Sequence, residues 1–198
     1  MEYMETLLGL LTGIALGATC GFRVTIPMLG VSIASMTGHM HLAHGFEWLG
    51  SPVAAISLGV ATVAEIAAFY IPWLDHAFDV VAAPLAVAAG SILTASQIQD
   101  VSPYLQWTLA IIAGGGAATL FHLKTGAVRA LSTATTGGIG NPVVSTAEAG
   151  VAVVGTFLTI ALGWLAGLLF IVLCVWAGYK LIRIIGKWIK RVFPQKQN

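Results

Sequence analysis

Gly13-Ile-Ala-Leu-Gly-Ala-Thr-Cys-Gly-Phe-Arg-Val-Thr-Ile-Pro27 is the stretch on which the reading of this chain turns. An arginine stands inside an apolar run, and a proline follows four residues later. Proline has no N–H for the carbonyl of residue i−4, and its ring crowds that carbonyl; here residue i−4 is Arg23. A guanidinium and an interrupted helix therefore coincide at one point. Neither is tolerated in lipid unless it faces protein or a water-filled cavity. Gly21 and Pro27 are the expected edges of a helix break, and Arg23 is the first candidate binding residue.

The whole chain suits that setting. It has 198 residues, 58% of them hydrophobic and 9% charged, with a mean hydropathy of +0.90; a soluble domain carries about 25% charged residues. The expected fold class is all-α integral membrane, a single transmembrane domain over 1–198. Its length suits about six transmembrane helices of about 20 apolar residues each, some of them interrupted. A net charge of +1 provides no field to attract nucleic acid. Positive charge gathers instead at Lys180, Arg183, Lys187, Lys190, Arg191 and Lys196. The basic tail 187–198 is thus expected on the cytoplasmic side of the cell's inner (plasma) membrane, against anionic headgroups. Cys20 and Cys174 read as buried free thiols. The acidic start, Met1-Glu-Tyr-Met-Glu5, lacks a signal-peptide n-region, so the first helix is expected to stay in the mature protein.

Taken in order, helix 1 is expected over about Glu5 to Ser35, divided at Pro27. Glycines 9, 13, 17 and 21 form one smooth stripe for close helix approach. The polar segment 37–48 brings His39, His41 and His44, which with His76 are the candidate metal ligands; a solvated loop explains them as well. Ser51-Pro52 opens a helix to about Ile71, with Glu65 deep in it and Arg23 as its natural partner. Another helix is expected from Asp75, as N-cap, to about Ser96, kinked at Pro84, with Asp79 in its first turn. Ser102-Pro103 opens a further span through Gly114-Gly-Gly116, with His122, Lys124 and Arg129 near its end and Gly126 as a second break. Asn141-Pro142 then caps and opens a helix to about Leu162. The glycine-rich turn before it offers amides to an anion, which makes Asn141 a candidate ligand. Ser145 and Glu148 also read as a capping box. A last helix runs to about Trp188; with no proline or polar turn at Gly163, one long bent helix and five spans is the alternative.

Two short alignments hint at duplication. Gly17-Ala18, Phe22 and Arg23 match Gly116-Ala117, Phe121 and His122; Leu49-Gly-Ser-Pro-Val53 matches Ile139-Gly-Asn-Pro-Val143. Halves 5–97 and 102–190 with three spans each would form an inverted 3+3 repeat, a recurring transporter plan. Arg23 would then face His122 or Lys124 across the pseudo-axis.

Gly21-Phe-Arg-Val-Thr-Ile-Pro27, His44-Gly-Phe-Glu-Trp-Leu-Gly50, Glu65 ahead of Ile71-Pro-Trp-Leu-Asp75, and Gly140-Asn-Pro-Val143 together resemble the small prokaryotic membrane proteins grouped as domain-of-unknown-function family 4126. The resemblance covers nearly the whole chain and implies a membrane architecture without an activity. A looser similarity links the duplicated broken helices and buried arginine to polyprenyl-phosphate translocating families, by analogy alone.

The function expected is a transporter or flippase for an anionic solute or lipid phosphate. Arg23, Glu65, His122, Lys124, Arg129 and Asn141 are its candidate binding residues, and Glu65 and Glu148 its candidate coupling carboxylates. The expected partners are membrane lipid, an anionic small molecule or lipid headgroup, and a second copy of the chain. One alternative is a metal or cation carrier using the histidines; otherwise no cofactor is expected. Another is a non-transport scaffold held by glycine stripes. No Gly-x-Ser-x-Gly, His-Glu-x-x-His or paired catalytic aspartate occurs in the spans, so an enzyme is not expected.

Overall fold

A computed structural model describes residues 2–68 and 71–192, without the side chains of residues 2, 72–80, 177–178, 181–182 and 184–192. Among the described residues the protein is all-helical. Its helices are α1 (Glu2–Cys20), α2 (Thr25–Met36), α3 (Pro52–Ala68), α4 (Pro72–Ala95), α5 (Pro103–Thr136), α6 (Asn141–Leu162) and α7 (Trp164–Val192), with a 3₁₀ turn at Glu47–Gly50. Three stretches are long and apolar enough to cross a membrane: Tyr3–Cys20, Pro103–Thr136 and Asn141–Leu162. Shorter apolar helices are Thr25–Met36, Pro52–Ala68, Val81–Ala95 and Trp164–Trp176.

Helix α1 is the core of the bundle, packed by α4, α5, α6 and α7. The glycine stripe makes this possible. Gly9 meets the Gln97 carbonyl, Gly13 meets Thr94, Gly17 meets Gly114, and Gly21 meets Ala118 and Phe121. With no Cβ on one side, backbones approach closely and dispersion contacts replace the missing hydrophobic drive of a lipid solvent. Thr94 adds a hydrogen bond from its hydroxyl to the Gly13 carbonyl, 2.8 Å. The stripe is consumed inside the fold and is no surface for a second copy.

The same contacts fix directions. Gly9, Gly13 and Gly17 meet Gln97, Thr94 and Gly90 in turn, so α4 runs antiparallel to α1; Gly17 and Gly21 meet Gly114 and Ala118, so α5 runs parallel to it. Helix α6 is antiparallel to α1, since Gly155 touches Thr19 while Ser145 touches Arg23. Yet α6 is parallel to α2, because Gly30 touches Thr156 and Ile160 farther along. Helix α2 therefore doubles back on α1, forming a hairpin whose tip is Gly21–Val24. Helix α3 descends beside α2, with Gly50 at Ser35 and Glu65 at Thr25.

Several boundary expectations need correction. The break falls at Gly21–Val24 rather than at Pro27, which sits in the first turn of α2; there the N–H it lacks has no intrahelical partner anyway. Gly126 breaks nothing: α5 is continuous through it, so His122, Lys124 and Arg129 lie within the helix rather than at its end. The three glycines at 114–116 are accommodated by a π-helical stretch, Ala110–Gly115. Helix α4 starts at Pro72, before Asp75; the capping role of Asp75, the placement of Asp79, His76 as ligand and most of the basic tail lie outside the described side chains. Gly140, not Asn141, precedes α6, and Ser145 and Glu148 lie in its body instead of forming a capping box. Gly163, with φ 54°, separates α6 from α7, a conformation that favours glycine, so the single bent helix is not formed. The Ser51 and Ser102 caps stand, their hydroxyls accepting from the Ala54 and Leu105 amides.

The proposed duplication is met differently in its two parts. Segment 17–23 is broken whereas 116–122 is continuous, and their helices run parallel; the Phe22 and Phe121 rings pack at a 41° tilt, centroids 5.1 Å apart. Helices α3 and α6, which follow the other matched pair, run antiparallel. One inversion cannot relate both.

Gly17→Val would place a Cβ 2.6 Å from the Gly114 carbonyl oxygen. Overpacking of this kind costs about 1–3 kcal/mol, so a lower Tm in detergent is expected. Gly126→Ala meets open space and removes a helix penalty of about 1 kcal/mol, so its Tm should hold or rise. Equal Tm values for the two variants would contradict this packing.

Candidate functional site

The hairpin tip leaves the amides at the start of α2 without helical partners, and those amides carry the positive end of the helix dipole. Val24 itself is helical and offers no side-chain cap. The cap comes from another helix: the Glu65 carboxylate on α3 accepts from the amides of Val24 and Thr25, each at 3.0 Å, and from the Thr25 hydroxyl. Glu65 is buried. A carboxylate in that setting is stabilised by several hydrogen-bond donors together with a helix N-terminus. The sequence pairs Glu65 with Arg23; the structure gives it to the backbone instead, because the break creates donors that lie closer.

Arg23, 2% exposed, extends from the tip toward α6. Its Nη2 donates to the Ser145 carbonyl at 2.9 Å and lies 3.7 Å from the Glu148 carboxylate. Arg129 comes to the same carboxylate from α5. Its Nε lies 3.1 and 3.2 Å from the two Glu148 oxygens, and its Nη2 donates to Glu148 and, at 3.1 Å, to the Ser145 hydroxyl. Two guanidinium groups thus converge on Glu148, 6% exposed. Ser145 and Glu148 share one face of α6 because they are three residues apart. That spacing, read from sequence as a cap, instead presents a carbonyl, a hydroxyl and a carboxylate to two arginines.

A narrow cavity of about 10 Å³ lies among Glu65, His122, Thr125, Arg129 and Glu148, about the space needed for one water. Cys20 and Phe22 close its side. Of the candidates, Arg23, Glu65, His122, Arg129 and Glu148 come together; Thr25 and Ser145 join them without having been singled out for this role. Lys124 does not join. It is exposed, its Nζ 5.8 Å from the Phe121 ring centroid and 5.2 Å from that of Trp176. Asn141 is apart as well: it hydrogen-bonds Thr133 at 3.1 Å across the α5–α6 turn.

The loop histidines do not converge. His39 pairs with Thr37 and His44 with Glu47, both at 3.0 Å, and among the described residues no three His, Cys, Asp or Glu side chains form a metal-holding group. Glu47 is held below the usual carboxylate range chiefly by its own backbone amide, then by those of Gly45 and His44's ring. Its neighbours already satisfy it.

The sequence profile described as Domain of unknown function (DUF4126) matches residues 10–183. The chain belongs to that family. The match includes Arg23, Glu65, Arg129 and Glu148, every member of the buried charge cluster named above. No curated protein and no solved structure matches the chain.

Removing one partner of a buried ion pair strands the other at a cost of about 3–5 kcal/mol. The double change Arg129→Met/Glu148→Leu should therefore cost less than the sum of its two single changes, with a coupling of about 1 kcal/mol or more in a double-mutant cycle. Strict additivity would remove the pair from the account. Glu65→Ala should cost about 0.5–2 kcal/mol, as lost caps do, and speed amide exchange at 24 and 25, whereas Glu65→Gln, with one accepting oxygen in place of two, should recover only part of both.

Proposed function

We propose that this family member is a membrane transporter or flippase, moving an anionic solute or lipid phosphate past the buried arginines at a helix break. The observation that carries the reading is the hairpin tip: an interrupted helix delivers Arg23 to a carboxylate that already binds Arg129. A structural ion pair needs no interruption of the helix that bears it. Broken helices whose ends face charged groups at mid-depth are the recurring apparatus of secondary transporters. An arriving phosphate or carboxylate would exchange with Glu148 for the guanidinium donors, which bind such oxyanions bidentately. Glu65 holds the tip through the first amides of α2 and so fixes the element that carries Arg23. The small cavity corresponds to a closed state in this reading. The α1–α2 hairpin enters and returns, and α3 to α7 cross in alternation; this leaves the chain ends on opposite sides, with the basic end cytoplasmic.

One observation favours a second reading. A cavity with room for about one water is also what a static scaffold would show. Proteoliposomes separate the two readings. Uptake of radiolabelled inorganic phosphate and flipping of fluorescently tagged phosphatidylglycerol should be measured for wild type, Arg23→Gln and Arg23→Lys. Transport of at least one probe above empty vesicles is expected, falling about 10-fold or more in Arg23→Gln with folded protein yield unchanged, and partly retained in Arg23→Lys. Wild-type rates equal to empty vesicles for both probes would favour the scaffold.

A further inference from the structure

A second feature touches the charge cluster from outside. Between α5 and α6 lies a lateral groove of about 180 Å³. Its walls are Phe22, Val128, Val144, Ala147 and Val151, of which Val128 and Val151 are well exposed. Its inner end is the buried Glu148, which also holds Arg129. Lys124 stands at its outer rim.

Lys124 also shares an aromatic ring with a second lysine. The Trp176 ring of α7 carries the Lys124 ammonium at 5.2 Å from its centroid and the Lys180 ammonium at 4.4 Å. Among the described residues neither lysine has a carboxylate partner within salt-bridge distance. Two ammonium groups thus lie close to one indole, and one of them, Lys124, also lines the apolar slot. Their aromatic contacts stabilise them only modestly at an exposed position. The slot is too small for a partner helix, which is about 10 Å across and rises about 5.4 Å per turn. It does suit part of one hydrocarbon chain. A small aqueous anion would gain nothing from a wall of valines, whereas an anionic lipid places a phosphate at the lysines and its chain along the wall. Basic positions between membrane helices are recognised lipid-headgroup sites.

We propose that this groove binds an anionic glycerophospholipid, its phosphate at Lys124 and Lys180 and one acyl chain between Val128, Val144 and Val151. Because Glu148 closes the inner end, the groove is a side entrance from the leaflet to the Arg23–Arg129–Glu148 cluster; that entrance role rests on the translocation reading, while the binding does not. The substrate class narrows accordingly to an amphiphile arriving laterally rather than a solute arriving from water.

The full chain in phosphatidylcholine nanodiscs, with and without phosphatidylglycerol, provides the test, read by native mass spectrometry of retained lipid. Wild type should retain phosphatidylglycerol over phosphatidylcholine. Lys124→Gln/Lys180→Gln should lower that preference about 10-fold or more, and Val128→Trp, which fills the slot and keeps both charges, should lower total retention. Equal retention of the two lipids by wild type, or an unchanged preference in both groove variants, would overturn the proposal. Retention that follows the groove variants, without any flipping by wild type, would uphold the binding site and remove only its role as an entrance.

Discussion

The structure depends on the carboxylate of Glu65 reaching across from α3 to the unpaired amides of Val24 and Thr25. A helix interrupted in an apolar environment exposes donors that nothing in lipid can satisfy. Without a capping group the chain would gain by closing the gap and running α1 straight into α2. That would carry α2 away from α6 and Arg23 away from Glu148. One acidic side chain on a neighbouring helix therefore maintains both the hairpin and the position of the arginine at its tip.

The two acids of the cluster divide the work. Glu65 answers the backbone and Glu148 answers the side chains. Glu148 sits with two cationic donors and Glu65 with neutral N–H and O–H donors at a helix N-terminus, so the low dielectric that would make a lone carboxylate costly strengthens their bonds. The glycine stripe of α1 sets the scale of the whole arrangement. Because Gly17 and Gly21 let α5 approach to backbone contact, Arg129 two turns farther along α5 comes within reach of α6. A bulkier α1 would hold α5 away and leave Glu148 with Arg23 alone.

The membrane character, the helical class and two helix starts were legible without coordinates. Composition fixed the first. Ser51-Pro52 and Ser102-Pro103 announced two helices, because a serine hydroxyl caps amides that proline does not possess. Glycines at a four-residue spacing announced the packing face of α1. That Arg23 and Glu65 would need partners was also legible, since charged groups in apolar runs do. What was misread was local: Pro27 looked like the breaker and Gly126 like a second one, and Ser145 with Glu148 looked like a cap.

The sequence by itself determined which residues could not be left alone: a buried guanidinium, two buried carboxylates and a chain of small residues that must meet another backbone. Only the tertiary structure decided who meets whom. Glu65 and Glu148 are equally plausible mates for Arg23 from residue type and hydrophobic setting, and the choice turns on where the helix opens. Donors freed at Gly21–Val24 capture the nearer acid, and the direction of α6 presents the other. Pairing across helices is a matter of distance and orientation between segments 40 residues apart for Glu65 and Thr25 and 122 apart for Arg23 and Ser145, and no local pattern encodes it.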